Sequence, residues 1–191
     1  MYAPDEWLEV RLTAELEQLD QIRCAAIAFK RPGTIPFDHL YITYNIRCIA
    51  SLDDSGNPVY RDRWQVVIDV PPDYPETAPV ARLAAGTPPP FHPNFWNHGA
   101  NYGLLCTHGG GEVSADPGET LALLVGRIAR MLQYDPEVTQ VHLGPNDAAA
   151  RWYQDNMHRR DLFPTDYQRI PLPGASDAVA VADDDDDFII R

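Results

Sequence analysis

Cys106 is the residue whose neighbours best equip it for chemistry. It closes the run Gly103-Leu104-Leu105-Cys106, in a stretch rich in Gly, Pro, Asn and His. A cysteine reacts as its thiolate, and an irregular loop can expose it. Upstream stands Phe91-His92-Pro93-Asn94. The Asn94 side-chain amide could donate to the oxyanion formed when an acyl carbonyl is attacked. His98 or His108 could take the thiol proton. Blander readings stand beside these. Cys106 could be a buried structural thiol, as unpaired cysteines often are. Asn94 could be a turn residue after Pro93. Solvated loop positions suit His98 and His108 as well. Zinc held by His92, His98, His108 and His142 with Cys106 would need three or four converging ligands, and the spacings match no short zinc pattern.

Several elements must position this segment. Residues 5 to 23 predict a helix, because Leu8, Leu12, Leu16, Leu19 and Ile22 form one apolar stripe. Its opposite face carries Asp5, Glu6, Glu9, Glu15, Glu17 and Asp20 against Arg11. Residues 30 to 39 read as loop. Residues 40 to 50 alternate, with Ile42, Tyr44, Ile46, Cys48 and Ala50 on one face. Residues 63 to 70 alternate again through Trp64, Val66, Ile68 and Val70, and the turn signal 53 to 57 between the two predicts an antiparallel hairpin. Val80 to Leu83 is a further strand. Cys48 then belongs to the core, and Cys24 packs at the end of the first helix. A second helix is predicted with Asp116 as N-cap, Pro117 as first residue and Glu119 as capping-box partner. Its stripe is Leu121, Leu124, Val125, Ile128 and Leu132. A third spans about 146 to 160, with Ala149, Trp152, Tyr153 and Met157 facing inward. This order defines an α+β domain with segregated layers.

The 191 residues suit one domain of ordinary size. Net charge is −13, which disfavours nucleic-acid binding. No apolar run is long enough for a membrane span. Met1 to Glu9 has no basic region, so no secretory leader is expected. Three cysteines at wide spacing, without CxxC, argue against a disulfide scaffold and for a reducing cytoplasm. Lys30 is the sole lysine. A catalytic domain over 1 to 170 is expected. An acidic, mobile tail is expected over 171 to 191, with Asp183 to Asp187 and then Phe188-Ile189-Ile190.

From Arg63 to Cys106 the chain resembles the catalytic core of ubiquitin-conjugating enzymes. The likeness rests on the strand Trp64 to Val70, on Pro71-Pro72-Asp73-Tyr74-Pro75 and Pro79, on His92-Pro93-Asn94, and on Gly103-Leu104-Leu105-Cys106. With the order of helices it covers about residues 5 to 160. It implies that fold: an N-terminal helix, an antiparallel meander of about four strands, an active-site loop and C-terminal helices. It implies that Cys106 accepts a ubiquitin-like modifier from an activating enzyme as a thioester, then passes it to a target amine or hydroxyl. Asn94 would hold the loop or stabilise the oxyanion. His92 and Pro93 would shape the loop. No metal or organic cofactor is implied.

The sequence departs from the family at several places. Residues 95 to 102 contain an insertion with Asn97 and His98. Glu76 replaces the usual apolar residue after Tyr-Pro, and Ala115-Asp116-Pro117-Gly118 replaces the usual turn after the cysteine. Both places touch RING-type ligases in the family, so no RING partner is expected. The first helix is acidic where the family's is basic, so its activating enzyme should differ. The acidic residue that assists an incoming lysine falls near Val141 and His142, which leaves a hydroxyl acceptor open. These departures resemble divergent bacterial members, with a role in phage defence among the expectations. The alternatives are a silent binding module of the same fold for ubiquitin-like proteins and a metal-dependent hydrolase of unrelated fold.

Overall fold

The computed structural model describes residues 4–107, 119–139, 145–164 and 169–171. The first helix, α1, runs Pro4–Gln21. Three strands of the main sheet follow: β1 (Ile27–Phe29) and β2 (His39–Tyr44), which alternate in burial, and β5 (Trp64–Asp69), buried in a row from Val66 to Ile68. Between β2 and β5 lies a hairpin of β3 (Cys48–Leu52) and β4 (Pro58–Arg61). The last strand, β6, is Val80–Leu83. Helices α2 (Leu121–Leu132) and α3 (Asp147–Asn156) complete the order.

The main sheet has strand order β1-β2-β5-β6, antiparallel throughout. Ile42 faces Val66 and Tyr44 faces Trp64, so the period-2 apolar sets share one side. That side is buried against α1 and α2. Leu12, Leu16 and Leu19 meet it from α1, Ile22 from just past its end, and Leu121, Leu124, Val125, Ile128 and Leu132 from α2. The α+β expectation and its four-stranded meander therefore hold. On the sheet, two buried aromatics with polar tips find partners. Tyr44 Oη donates to the Val125 carbonyl at 3.1 Å, and Trp64 Nε1 donates to the Ile46 carbonyl at 3.1 Å. The outer face is mixed: Tyr41 and Val67 stand beside Arg82, which is bidentate on Asp69 at 2.7 and 3.0 Å.

The structure corrects four local expectations. The alternation of residues 40 to 50 is not one strand. It breaks at 45–47, and the turn at 53–57 joins β3 to β4 in a separate two-stranded sheet. Gly56 takes φ +80 there, which glycine alone adopts without cost. Burial alternates through Ile46 to Cys48 across the break and ends at Ile49, which is also fully buried. Helix α2 begins at Leu121, not near 117; Thr120 is its cap and accepts from the Leu123 N–H at 3.2 Å. Glu119 is paired with Arg127 at 2.8 Å and stands one residue before the cap, not at the third helical position that a capping box uses. Asp116 and Pro117 lie outside the described residues, as do Ala115 and Gly118 and the tail from 172. Met157 is 53% exposed at the end of α3, whereas Ala149 and Tyr153 are buried and Trp152 is partly so.

The fourth correction concerns Glu15. It sits beside Leu16 on the core side of α1 and is 1% exposed. Its carboxylate accepts from Arg11 Nε at 2.8 Å, from Tyr74 Oη at 2.8 Å and from the Leu121 N–H at 2.8 Å. A side chain from α1 thus caps α2, at the end where the helix dipole favours negative charge. Burying a carboxylate is costly unless its oxygens are fully met, and here three donors meet them. Glu15→Gln keeps the shape but replaces one oxygen by a donor facing donors. Stability to urea should fall by roughly 2–3 kcal/mol. An unchanged midpoint would mean that Glu15 is spectator, not cap.

Candidate active site

Residues 91 to 106 lie against the free side of β6. The Leu83 N–H donates to the Gly103 carbonyl at 2.8 Å, and the Leu105 N–H to the Ala81 carbonyl at 3.0 Å. The segment also folds back on itself. Trp96 N–H meets the Leu104 carbonyl at 3.0 Å, Gly103 N–H the Trp96 carbonyl at 2.9 Å, and Cys106 N–H the Asn94 carbonyl at 2.8 Å. The stretch without sequence period is therefore a short hairpin laid beside the sheet. Its pairings are single bridges, too brief to leave an alternating signature. Gly103 turns the chain at φ +86, which requires glycine. The insertion forms the exposed tip, with a turn of 3-10 helix at Gly99–Asn101. Phe95 and Leu105, fully buried, fasten the base.

Asn94 and Cys106 are adjacent, as the sequence motifs imply. Asn94 is fully buried. Besides the main-chain bond, its Nδ2 donates to the Cys106 carbonyl at 2.9 Å and to the Val138 carbonyl at 3.3 Å. Both amide hydrogens are thus engaged by main-chain oxygens. In this state Asn94 holds the cysteine segment to the turn after α2. Cys106 itself is 0% exposed, which departs from the expectation of a loop-exposed thiol. Phe95 and Leu105 on either side of it belong to the hydrophobic core, whereas Cys106 itself does not. Cys106, Cys48 and Cys24 are all thiols. Burial pushes the Cys48 thiol up, as befits a core cysteine. Cys24 is half-buried just past α1.

His92 shapes this segment. Its Nδ1 accepts the Asn94 N–H at 3.1 Å, so the ring is neutral with its proton on Nε2. Its ring lies 4.4 Å from that of Tyr134 and 5.4 Å from that of Phe95. His98 is on the exposed tip, 6.0 Å from the ring of Trp96. His108, Val141 and His142 lie outside the described residues. Among the described residues no three His, Cys, Asp or Glu side chains converge on one point, and no helix is long and apolar enough to cross a membrane. Sequence reasoning missed Val138 and Tyr134. Neither has a motif around it, and both act through contacts made only in the fold.

No protein-family model matches the sequence, and no curated protein matches it. The likeness is one of fold. A solved structure described as a novel ubiquitin-conjugating enzyme superposes with a TM-score of 0.52 at 18% identity, over 80% of this chain and 90% of that one. A ubiquitin-conjugating enzyme from Agrocybe aegerita gives a TM-score of 0.45 at 16% identity, covering 65% of this chain and 81% of its own. One from Plasmodium vivax gives 0.45 at 22% identity, over 64% of this chain and 98% of its own. The chain has the α+β fold of ubiquitin-conjugating enzymes.

Full burial holds the His92 pKa down to about 3, and the Met131 carbonyl offsets this only in part. An unfolded histidine titrates near pH 6.5. Between those values the unfolded chain binds a proton that the folded chain refuses, so stability is complete above about pH 6.5 and falls as pH is lowered. Urea midpoints at about pH 7.5 and pH 5 should differ by roughly 2 kcal/mol on account of His92. His92→Asn offers an oxygen near the Nδ1 position and does not titrate. It should shrink the difference; an identical pH dependence in both proteins would sink this assignment.

Proposed function

We propose that this protein is a conjugating enzyme for a ubiquitin-like modifier, with Cys106 as its thioester site and Asn94 as its partner. The observation that carries the reading is the pair of bonds joining these two residues, 2.8 Å from the Cys106 N–H to the Asn94 carbonyl and 2.9 Å from Asn94 Nδ2 to the Cys106 carbonyl. They unite His92-Pro93-Asn94 with the cysteine on a ubiquitin-conjugating fold. The Cys106 thiolate attacks the acyl carbon of a modifier carried as a thioester by an activating enzyme. The activating enzyme's thiolate leaves, and a thioester forms at Cys106. An amine or hydroxyl of the target then attacks that carbon, and the Cys106 thiolate leaves. No metal or organic cofactor enters either step.

The fully buried thiol has to be uncovered before the first attack. In the second, a developing oxyanion needs a donor. The longer Asn94 bond, 3.3 Å to Val138, is the one to exchange for it. The acidic first helix, Glu76 and the turn at 115–118 favour an activating enzyme unlike the common ones and action without a RING ligase. They also favour a divergent bacterial member acting in the cytoplasm, in the manner of a defence operon. The same burial of Cys106 favours a second reading, a silent module that binds ubiquitin-like proteins.

One assay separates the two. With activating enzyme, modifier and ATP, a reductant-sensitive adduct should appear and vanish in Cys106→Ala. Its persistence in that variant, or its absence from the natural chain, would favour the silent module or another cysteine. Asn94→Ala should still charge but discharge roughly 10²–10³-fold more slowly. Asn94→Asp should be worse, since a carboxylate would face the Cys106 and Val138 carbonyls. Equal discharge rates in all three proteins would remove Asn94 from the transition state.

A further inference from the structure

Tyr134 is held in an unusual way for a residue with no part in the motifs. It follows α2 with φ 58, a left-handed conformation that side-chain-bearing residues rarely adopt. It is the one such non-glycine residue among the described ones. Its N–H closes on the Met131 carbonyl at 2.8 Å. Its ring is buried, stacked on Tyr153 at 5.7 Å, tilted against Phe163 at 5.3 Å and against His92 at 4.4 Å. Its hydroxyl donates to the Phe91 carbonyl. Burial holds that hydroxyl in its protonated, donating form. A residue persists in such a conformation when its surroundings fix it from several sides.

The two ends of Tyr134 reach the two sides of Asn94. The side chain fixes the chain just before Asn94. Phe91 is gripped at both polar groups, its N–H by the Ile49 carbonyl of β3 at 2.9 Å and its carbonyl by Tyr134. The main chain fixes what Asn94 donates to. The left-handed step leads into a turn in which the Asp135 carbonyl accepts from the Val138 and Thr139 N–H groups at 3.1 and 2.9 Å. That turn presents the Val138 carbonyl to Asn94 Nδ2 at 3.3 Å. One residue thus sets both where the Asn94 backbone starts and where its second amide hydrogen goes.

We propose that Tyr134 is a positioning residue, which sets how the Asn94 amide is shared between the Cys106 and Val138 carbonyls. The kinetic part of this rests on the reading of Cys106 as thioester site; the structural part does not. Tyr134→Phe keeps the ring and removes the bond to Phe91. Hydrogen exchange followed by NMR should accelerate at the Asn94, Phe95 and Cys106 amides, by about tenfold for one lost hydrogen bond. The β2–β5 pairs such as Ile42 and Val66 should keep their rates. Glu15→Gln, remote from this segment, is the matched control. It destabilises the fold and should accelerate exchange broadly instead. In the charged enzyme, Tyr134→Phe should slow discharge about tenfold with an unchanged KM for the acceptor. Uniform acceleration of exchange in Tyr134→Phe, or none at Cys106, would overturn the proposal. So would a discharge defect that lies wholly in KM. If the natural chain forms no thioester, the functional reading fails, and exchange alone decides the role of Tyr134.

Discussion

The Asn94 side chain is the point at which three parts of the molecule are joined. It reaches the cysteine segment at 2.9 Å and the turn after α2 at 3.3 Å, while its own backbone follows His92. None of these parts is a helix or a full strand, and single bridges to β6 and across the hairpin hold the cysteine segment besides Asn94. A buried amide with unmatched hydrogens would cost more than the bonds return in water, which makes the arrangement all-or-none. That constraint explains the packing around it. Phe95 and Leu105 seal the base of the hairpin, His92 supplies an acceptor instead of a charge, and the aromatic group of Tyr134, Tyr153, Trp152 and Phe163 packs on Phe91 and His92.

Glu15 does for the helices what Asn94 does for the loop. One carboxylate gathers α1, the turn holding Tyr74 and the first N–H of α2. Hydrophobic contact alone would allow α1 to slide or rotate on the sheet, because apolar stripes are tolerant of register. A buried charge with three donors admits one arrangement. The two polar nodes bracket the residues between Cys106 and Leu121. The ends of that stretch are therefore fixed with respect to the core by hydrogen bonds rather than by packing alone.

Much of the scaffold was legible in the sequence because its signals are local. Leu12, Leu16 and Leu19 repeat at helical spacing, and Trp64, Val66 and Ile68 alternate, whatever the rest of the chain does. The nearness of Asn94 to Cys106 was legible only through the family resemblance of their motifs. What could not be read shares one cause: it depends on partners distant in sequence. Glu15 looks like a surface acid until Tyr74 and Leu121 arrive beside it. Thr120 looks like a weaker cap than Asp116 until α2 is seen to begin there. Residues 40 to 48 keep one alternating pattern across the break between β2 and β3, so nothing local marks where one sheet ends and the other begins. The hairpin of residues 94 to 106 rests on Gly103 and Leu105 pairing with β6, which no composition signal announces.

The buried thiol and its proposed use are reconciled by where the restraint falls. The bonds between Asn94 and Cys106 engage the cysteine's N–H and carbonyl. With the peptide fixed, the place of Sγ follows from one torsion, χ1, and from what packs over it. Local opening in proteins spans free energies from near zero up to that of global unfolding. An opening that costs about 2 kcal/mol would leave the thiol accessible a few per cent of the time, and charging would be slowed by that fraction. A partner that binds only the open form would recover the loss through its own binding energy. Burial of this kind shields a nucleophile from oxidants between encounters without displacing it. The bonds from Asn94 restrain the cysteine's peptide and leave that torsion, χ1, unrestrained.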